Sequence, residues 1–162
     1  MEAALTCPPA PVAHVYAGLG GLVSLTWHEP RTALPEAVVQ DVWAQQALRR
    51  PLRTTDGQTL TVLSPGAQSR DGGPDFRAAR FRLGDDLICG DVEVHTASGF
   101  WISHGHATDA RYGSVALHVT LHADAHTGRL RRADGTVLPE VVLAPYLDGR
   151  LSERLHRFFD AP

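Results

Sequence analysis

Residues 72–95 read GGPDFRAARFRLGDDLICGDVEVH, and residues 99–122 read GFWISHGHATDARYGSVALHVTLH. Strand residues alternate faces with period two. Asp91, Glu93 and His95 are therefore expected to point one way from a strand, and Val92 and Val94 the other. A Pro74-Asp75 pair precedes this strand, and five histidines fall between 95 and 122. Two carboxylates and an imidazole on one strand face are costly to bury without a compensating partner. A divalent metal is the simplest such partner.

Working outward, Thr32 to Arg49 predicts a helix. Pro35 and Glu36 suit its first turn. Val38, Val39, Val42, Trp43, Gln46 and Ala47 give i, i+3, i+4 spacing, and Pro51 ends it. Strands are expected at Thr59–Leu63, Phe76–Leu83 and Leu87–His95, separated by turns at Thr55–Gln58 and Gly84–Asp86 and by a Gly-rich loop at Gln68–Pro74. Ser98 to Tyr112 reads as irregular or a short helix. Ser114 to His122 is a further strand, with Val115, Leu117, Val119 and Leu121 on one face and Ala116, His118, Thr120 and His122 on the other. Residues 124–136 read as a polar arm, and Val137 to Leu143 as apolar. The order predicts one α/β (α+β) domain over 1–162 with a mixed central sheet flanked by helices. Residues 1–11 are expected to be loose, 12–30 an N-terminal β-hairpin, 32–147 the core and 148–162 a terminal helix.

At 162 residues, 43% hydrophobic and 20% charged, the chain is ordinary for a globular domain with a real core. Its formal net charge of -3 gives no global basic footprint. All fifteen basic residues are arginine, which excludes a catalytic lysine. With only Cys7 and Cys89, a disulfide framework is not expected, and Cys89 reads as a buried thiol. The N-terminus lacks a basic signal region, and the apolar stretch from Val12 to Trp27 is too short to span a bilayer. A cytoplasmic protein with no membrane partner is expected.

Pro74-Asp75, a strand, then Glu93-x-His95 resembles the PD-(D/E)XK, or restriction-endonuclease-like, nuclease superfamily. That core is a helix, a three-stranded meander, a further helix and a further strand. Its aspartate opens the second core strand, and its acid-x-lysine lies on the third. The resemblance implies that Asp75 and Glu93 are metal ligands and that His95 takes the lysine position. His95, Phe100-Trp101 and His104-Gly105-His106 are also similar, at a different spacing, to very-short-patch-repair endonucleases of the same superfamily, which use histidine chemistry. The patterns GPDF, GDVEVH, W-x-x-H-x-H and Tyr-x-x-Val-x-Leu-His-Val further resemble an uncharacterised bacterial family over roughly residues 35–147.

The uncharacterised family supplies no activity; the nuclease resemblance implies a metal-dependent hydrolase, an endonuclease acting on nucleic acid, with DNA the expected partner and a homodimer left open. The expected ion is Mg²⁺ or Mn²⁺, with Zn²⁺ as an option given the imidazoles. Asp75, Glu93, His95 and His104 are the catalytic candidates. Asp75, Glu93 and Asp91 are the metal candidates. Glu36, Gln40, Trp101, His106 and His118 are candidates for outer-shell or substrate contacts. Each has a plainer reading. Asp75 caps a strand start, and Asp91 is an edge charge. Glu93 and His95 form a salt-linked pair, Glu36 complements a helix dipole, and Trp101 belongs to the core. His104, His106, His118 and His122 are surface histidines, and Arg77, Arg80 and Arg82 are a solvated face. Two alternatives stand beside the nuclease. One is a histidine-ligated metal protein unrelated to nucleic acid. The other is a catalytically inactive nuclease-like binding module, favoured by the missing lysine and the negative balance.

Overall fold

The computed structural model describes residues 34–151. The expected N-terminal hairpin, Cys7 and the expected terminal helix from residue 152 onward lie outside them. Helix α1, Glu36–Gln45, begins after Pro35, whose φ of -59° and ψ of 132° give an extended entry. Val39, Val42 and Trp43 are buried, so the predicted apolar stripe is the packed one. The helix ends before the expected Arg49. Gln46 turns into the left-handed region at φ 51°, and its N–H donates to Trp43 O at 3.1 Å.

The strands are β1 (Leu52–Arg53), β2 (Thr59–Ser64), β3 (Ala67–Gln68), β4 (Phe76–Leu83), β5 (Asp86–Ala97), β6 (Val115–His122) and β7 (Glu140–Val142). They form one sheet in the order β1-β2-β4-β5-β6-β7, with β3 paired to β4. The pairs up to β4·β5 are antiparallel, while β5·β6 and β6·β7 are parallel. The result is a mixed α+β fold around a mixed central sheet. The β5–β6 crossover carries α2 (Phe100–Ser103) and a 3₁₀ turn at Ala110–Tyr112. Helix α1 packs with Phe76, Phe81, Val92, Val94, Leu117 and Val119 in the main core. Trp101, Tyr112, Val115, Leu130 and Leu138 make a second cluster.

The structure departs from the sequence reading at several points. Strand β6 was expected to bury one apolar face, yet Val115 through Leu121 are all buried. A strand between two parallel neighbours is covered on both faces, which overrides the alternation. Strand β7 was visible only as an apolar run. Cys89 is half-buried rather than buried. Among the described residues, no helix is long and apolar enough to cross a membrane.

A β-bulge shapes the approach to the site. Phe76 pairs with Val92 but Ala79 pairs with Gly90, so β4 carries one extra residue. Ala78 adopts φ 54° there. A bulge deprives a backbone N–H of its ladder acceptor, and Asp91 supplies one. Its Oδ1 accepts from Ala78 N–H at 3.0 Å and its Oδ2 from the Ser114 hydroxyl at 2.6 Å.

Beside Asp91, β5 and β6 approach closely. A Cβ on Gly90 would lie 2.5 Å from Ala116 Cβ and 3.0 Å from Ser114 O. Gly90→Ala is therefore expected to destabilise the protein by about 1–3 kcal/mol, the usual cost of overpacking. Gly149→Ala, with nothing within 4 Å of the added Cβ, is the control and should leave stability nearly unchanged. Urea denaturation of both variants measures this, and equal midpoints would contradict the packing argument.

Candidate metal centre

Sheet register builds the site. Parallel pairing sets Glu93 on β5 against His118 on β6, and His118 against Glu140 on β7. His95 lies two residues beyond Glu93 on the same face. All four side chains are buried. His95 Nδ1 lies 2.8 Å from His118 Nε2, and His118 Nδ1 lies 2.9 Å from Glu140 Oε1. Gly128 N–H donates to Glu140 Oε2 at 2.6 Å. A continuous hydrogen-bonded chain thus runs from the β6–β7 loop to His95.

Asp75 enters from the start of β4. Its Oδ2 accepts from Val94 N–H at 2.9 Å, and its Oδ1 accepts from Gln40 Nε2 at 2.9 Å. Its own N–H donates to Glu93 Oε2 at 3.1 Å. Gln68 Nε2 donates to Gln40 Oε1 at 3.3 Å, which completes a polar link from β3 through α1 to the acids.

The crossover covers the site. Gly105, at φ 77°, stands between His104 and His106 in a conformation that favours glycine and lets both rings approach His95. The centroids of His104 and His106 lie 5.1 and 5.2 Å from that of His95. One ring nitrogen from each of the three falls within 4.8 Å of the others, with His104 exposed and the other two buried. Glu93 Oε1 lies 3.6 Å from His95 Nε2 and 3.2 Å from His106 Nε2. His106 stacks on Tyr112 with centroids 3.8 Å apart, and Trp101 packs edge-on against His106 and His118.

The electrostatics point the same way. Burial, then the neighbouring Asp75, raises Glu93 to about 9. The same two causes raise Glu36 to about 7. Burial also raises Asp75, against the opposing hydrogen bonds from Val94 and Gln40. Burial, then His118, His106 and His104, lowers His95 to about 2, while burial and His104 lower His106 to about 4. Imidazoles held neutral are ready to donate a lone pair to a cation, and a cation entering beside the protonated Glu93 would displace its proton. His95 Nε2 and His106 Nδ1 are buried with no hydrogen-bond partner. An orphaned His95 Nε2 facing the Glu93 carboxyl at 3.6 Å fits a metal, and the N,N,N,O donor set suits a transition ion better than Mg²⁺.

The structure thus brings together Asp75, Glu93, His95, His104, His106, His118, Gln40 and Glu36. It does not bring Asp91 into this group, because both oxygens of Asp91 hold the bulge and the start of β6. Trp101 is fully buried, its indole N–H donating to Arg131 O at 2.9 Å, so it packs beneath the imidazoles rather than offering a surface. His122 is half-buried at the far end of β6, paired with Ala97. Sequence reasoning missed Glu140 and Tyr112. The one legible sign of Glu140 was a lone acid inside the apolar run Val137–Leu143.

A family model described as "Protein of unknown function (DUF2851)" matches residues 36–162, and the chain belongs to that family. This agrees with the resemblance to an uncharacterised family drawn from GPDF, GDVEVH and W-x-x-H-x-H. No curated protein and no solved structure matches the chain.

The shifts set a pH dependence for the metal-free protein. Between 4.5 and about 9, folded Glu93 keeps a proton that the unfolded chain releases, so stability falls as pH rises. Below 6.5 the unfolded chain protonates His95 and the folded chain does not, so there stability rises with pH. The two oppose each other between 4.5 and 6.5, and the loss is clean above that window. Chemical denaturation in chelator should show stability decreasing from pH 6.5 to 9, and a flat or rising profile would contradict this assignment.

Proposed function

We propose that the chain is a metal-dependent hydrolase of phosphodiester bonds, a nuclease acting on DNA. Glu93, His95, His104 and His106 hold the ion, with Asp75 beside them. The observation that carries this reading is the placement of Asp75, Glu93 and His95. Asp75 opens the second strand of a three-stranded antiparallel meander that follows a helix. Glu93 and His95 lie on the third strand, with a parallel strand beyond it. That is the order in which PD-(D/E)XK nucleases carry their acids, and Gln40 on the first helix reaches Asp75 as an outer contact would.

Bound there, a divalent cation would polarise a phosphoryl oxygen and acidify a water. The three imidazoles favour Mn²⁺ or Zn²⁺ over Mg²⁺. The protein supplies the remainder. Gln40 and Val94 N–H fix the Asp75 carboxylate, and Asp75 N–H fixes Glu93. Either carboxylate is placed to take a proton from an attacking water. Phe100 and Ile102, 39% and 50% exposed on α2, give an unstacked base an apolar surface. Arg77, exposed and donating to Gly72 O, stands next to the loop before Asp75 for a phosphate contact.

The wild-type chain is expected to cleave single- or double-stranded DNA with Mn²⁺ or Zn²⁺ and not in chelator. Asp75→Asn and Glu93→Gln should each lower the rate by about 100-fold or more. Gel assays over a metal series decide it. No cleavage with any ion, or unchanged rates in both variants, removes the nuclease reading. Zinc that co-purifies without DNA cleavage would instead favour a histidine-ligated metal protein unrelated to nucleic acid, the second reading the three clustered imidazoles support.

A further inference from the structure

We propose that Glu140 is a positioning residue which, through His118, sets the proton on His95 Nδ1 and so presents His95 Nε2 to the ion as a bare lone pair. The inference rests on the metal reading above and adds to it the residues that aim one ligand.

The chain of contacts has a direction. Gly128 N–H can only donate, and it donates to Glu140 Oε2. With Glu140 accepting at both oxygens, His118 carries its proton on Nδ1, facing Oε1 at 2.9 Å. His118 Nε2 is then an acceptor, and its partner at 2.8 Å, His95 Nδ1, must be the donor. A neutral imidazole carries one proton, which leaves Nε2 of His95 unprotonated. That atom is buried, has no hydrogen-bond partner, and lies 3.6 Å from Glu93 Oε1 on the side where His104 and His106 converge. Metal-ligating histidines commonly donate their other N–H to an outer partner that fixes tautomer and ring orientation. Here that partner is a second histidine, itself fixed by a carboxylate. Glu140 and His118 are both 0% exposed, so solvent cannot substitute for either.

Glu140→Gln tests the direction without changing shape. Gly128 N–H still requires an acceptor, so the amide oxygen must take the Oε2 position and the amide NH₂ must face His118 Nδ1. His118 then carries its proton on Nε2 and donates to His95 Nδ1. His95 is left with its proton on Nε2, where it blocks the ligand atom. Calorimetric titration of the full chain with Zn²⁺ and with Mn²⁺ is expected to show about 10–100-fold weaker binding in Glu140→Gln. Long-range ¹H–¹⁵N spectra of the metal-free wild type should place the His95 proton on Nδ1, and those of the variant on Nε2. The wild-type spectrum decides the matter even if the variant fails to fold. Equal affinities in the two proteins overturn the inference, as does a wild-type His95 protonated on Nε2 beside a charged His118. Failure of the wild type to bind either ion overturns the metal reading itself, and the proposal with it, and is a distinct result.

Discussion

Register between parallel strands is the constraint on which the molecule turns. Glu93, His118 and Glu140 lie abreast on β5, β6 and β7. A row of ionisable groups with almost no solvent contact is tolerable only if each member is hydrogen-bonded or neutral. The structure meets both conditions. Gly128, Gln40, Val94 and Asp75 supply backbone and side-chain donors. Burial keeps Glu93 protonated and His95 unprotonated. Two apolar clusters, one under α1 and one around Trp101, exclude water from either side of the row. The crossover then adds His104 and His106 where the row ends in an unpartnered nitrogen.

Much of this was readable from residues because it is local. The helix stripe Val39, Val42 and Trp43 follows from 3.6 periodicity, and the β4–β5 hairpin follows from the turn at Gly84–Asp86. Glu93 and His95 share a strand face by period two. That Asp75 and Gln40 approach them depends on how β4 and α1 dock against β5, which no spacing within one element fixes. The unreadable part is non-local. Nothing in Val115–His122 announces that both its faces will be covered, because that depends on which strands flank it. Glu140 sits on a three-residue strand, too short to carry a period. Its role arises only from docking beside His118. Asp91 shows the opposite failure. It shares a strand face with Glu93 and His95, yet a bulge on the neighbouring strand claims its carboxylate.

That bulge acts as a frame marker for the whole N-terminal half of the site. In a regular ladder running from Ala79↔Gly90, three residues back along β4 would meet three residues forward along β5, and Phe76 would oppose Glu93. The extra residue makes Phe76 oppose Val92 instead. Because side chains alternate with period two, this single-residue offset keeps the Phe76 ring in the core and carries Asp75 to Glu93. The loop just upstream can change length, since the Gly72–Gly73 turn absorbs it. The strand can do so only at the bulge. Drawing Ala78 into a regular ladder would invert everything N-terminal to it, sending the Phe76 ring among the acids and the Asp75 carboxylate toward the core, whereas deleting it would leave Phe76 opposite Val92, two residues back against two forward. Natural length variation in this fold is therefore expected upstream of Pro74, at the bulge itself and beyond Leu83, at the turn.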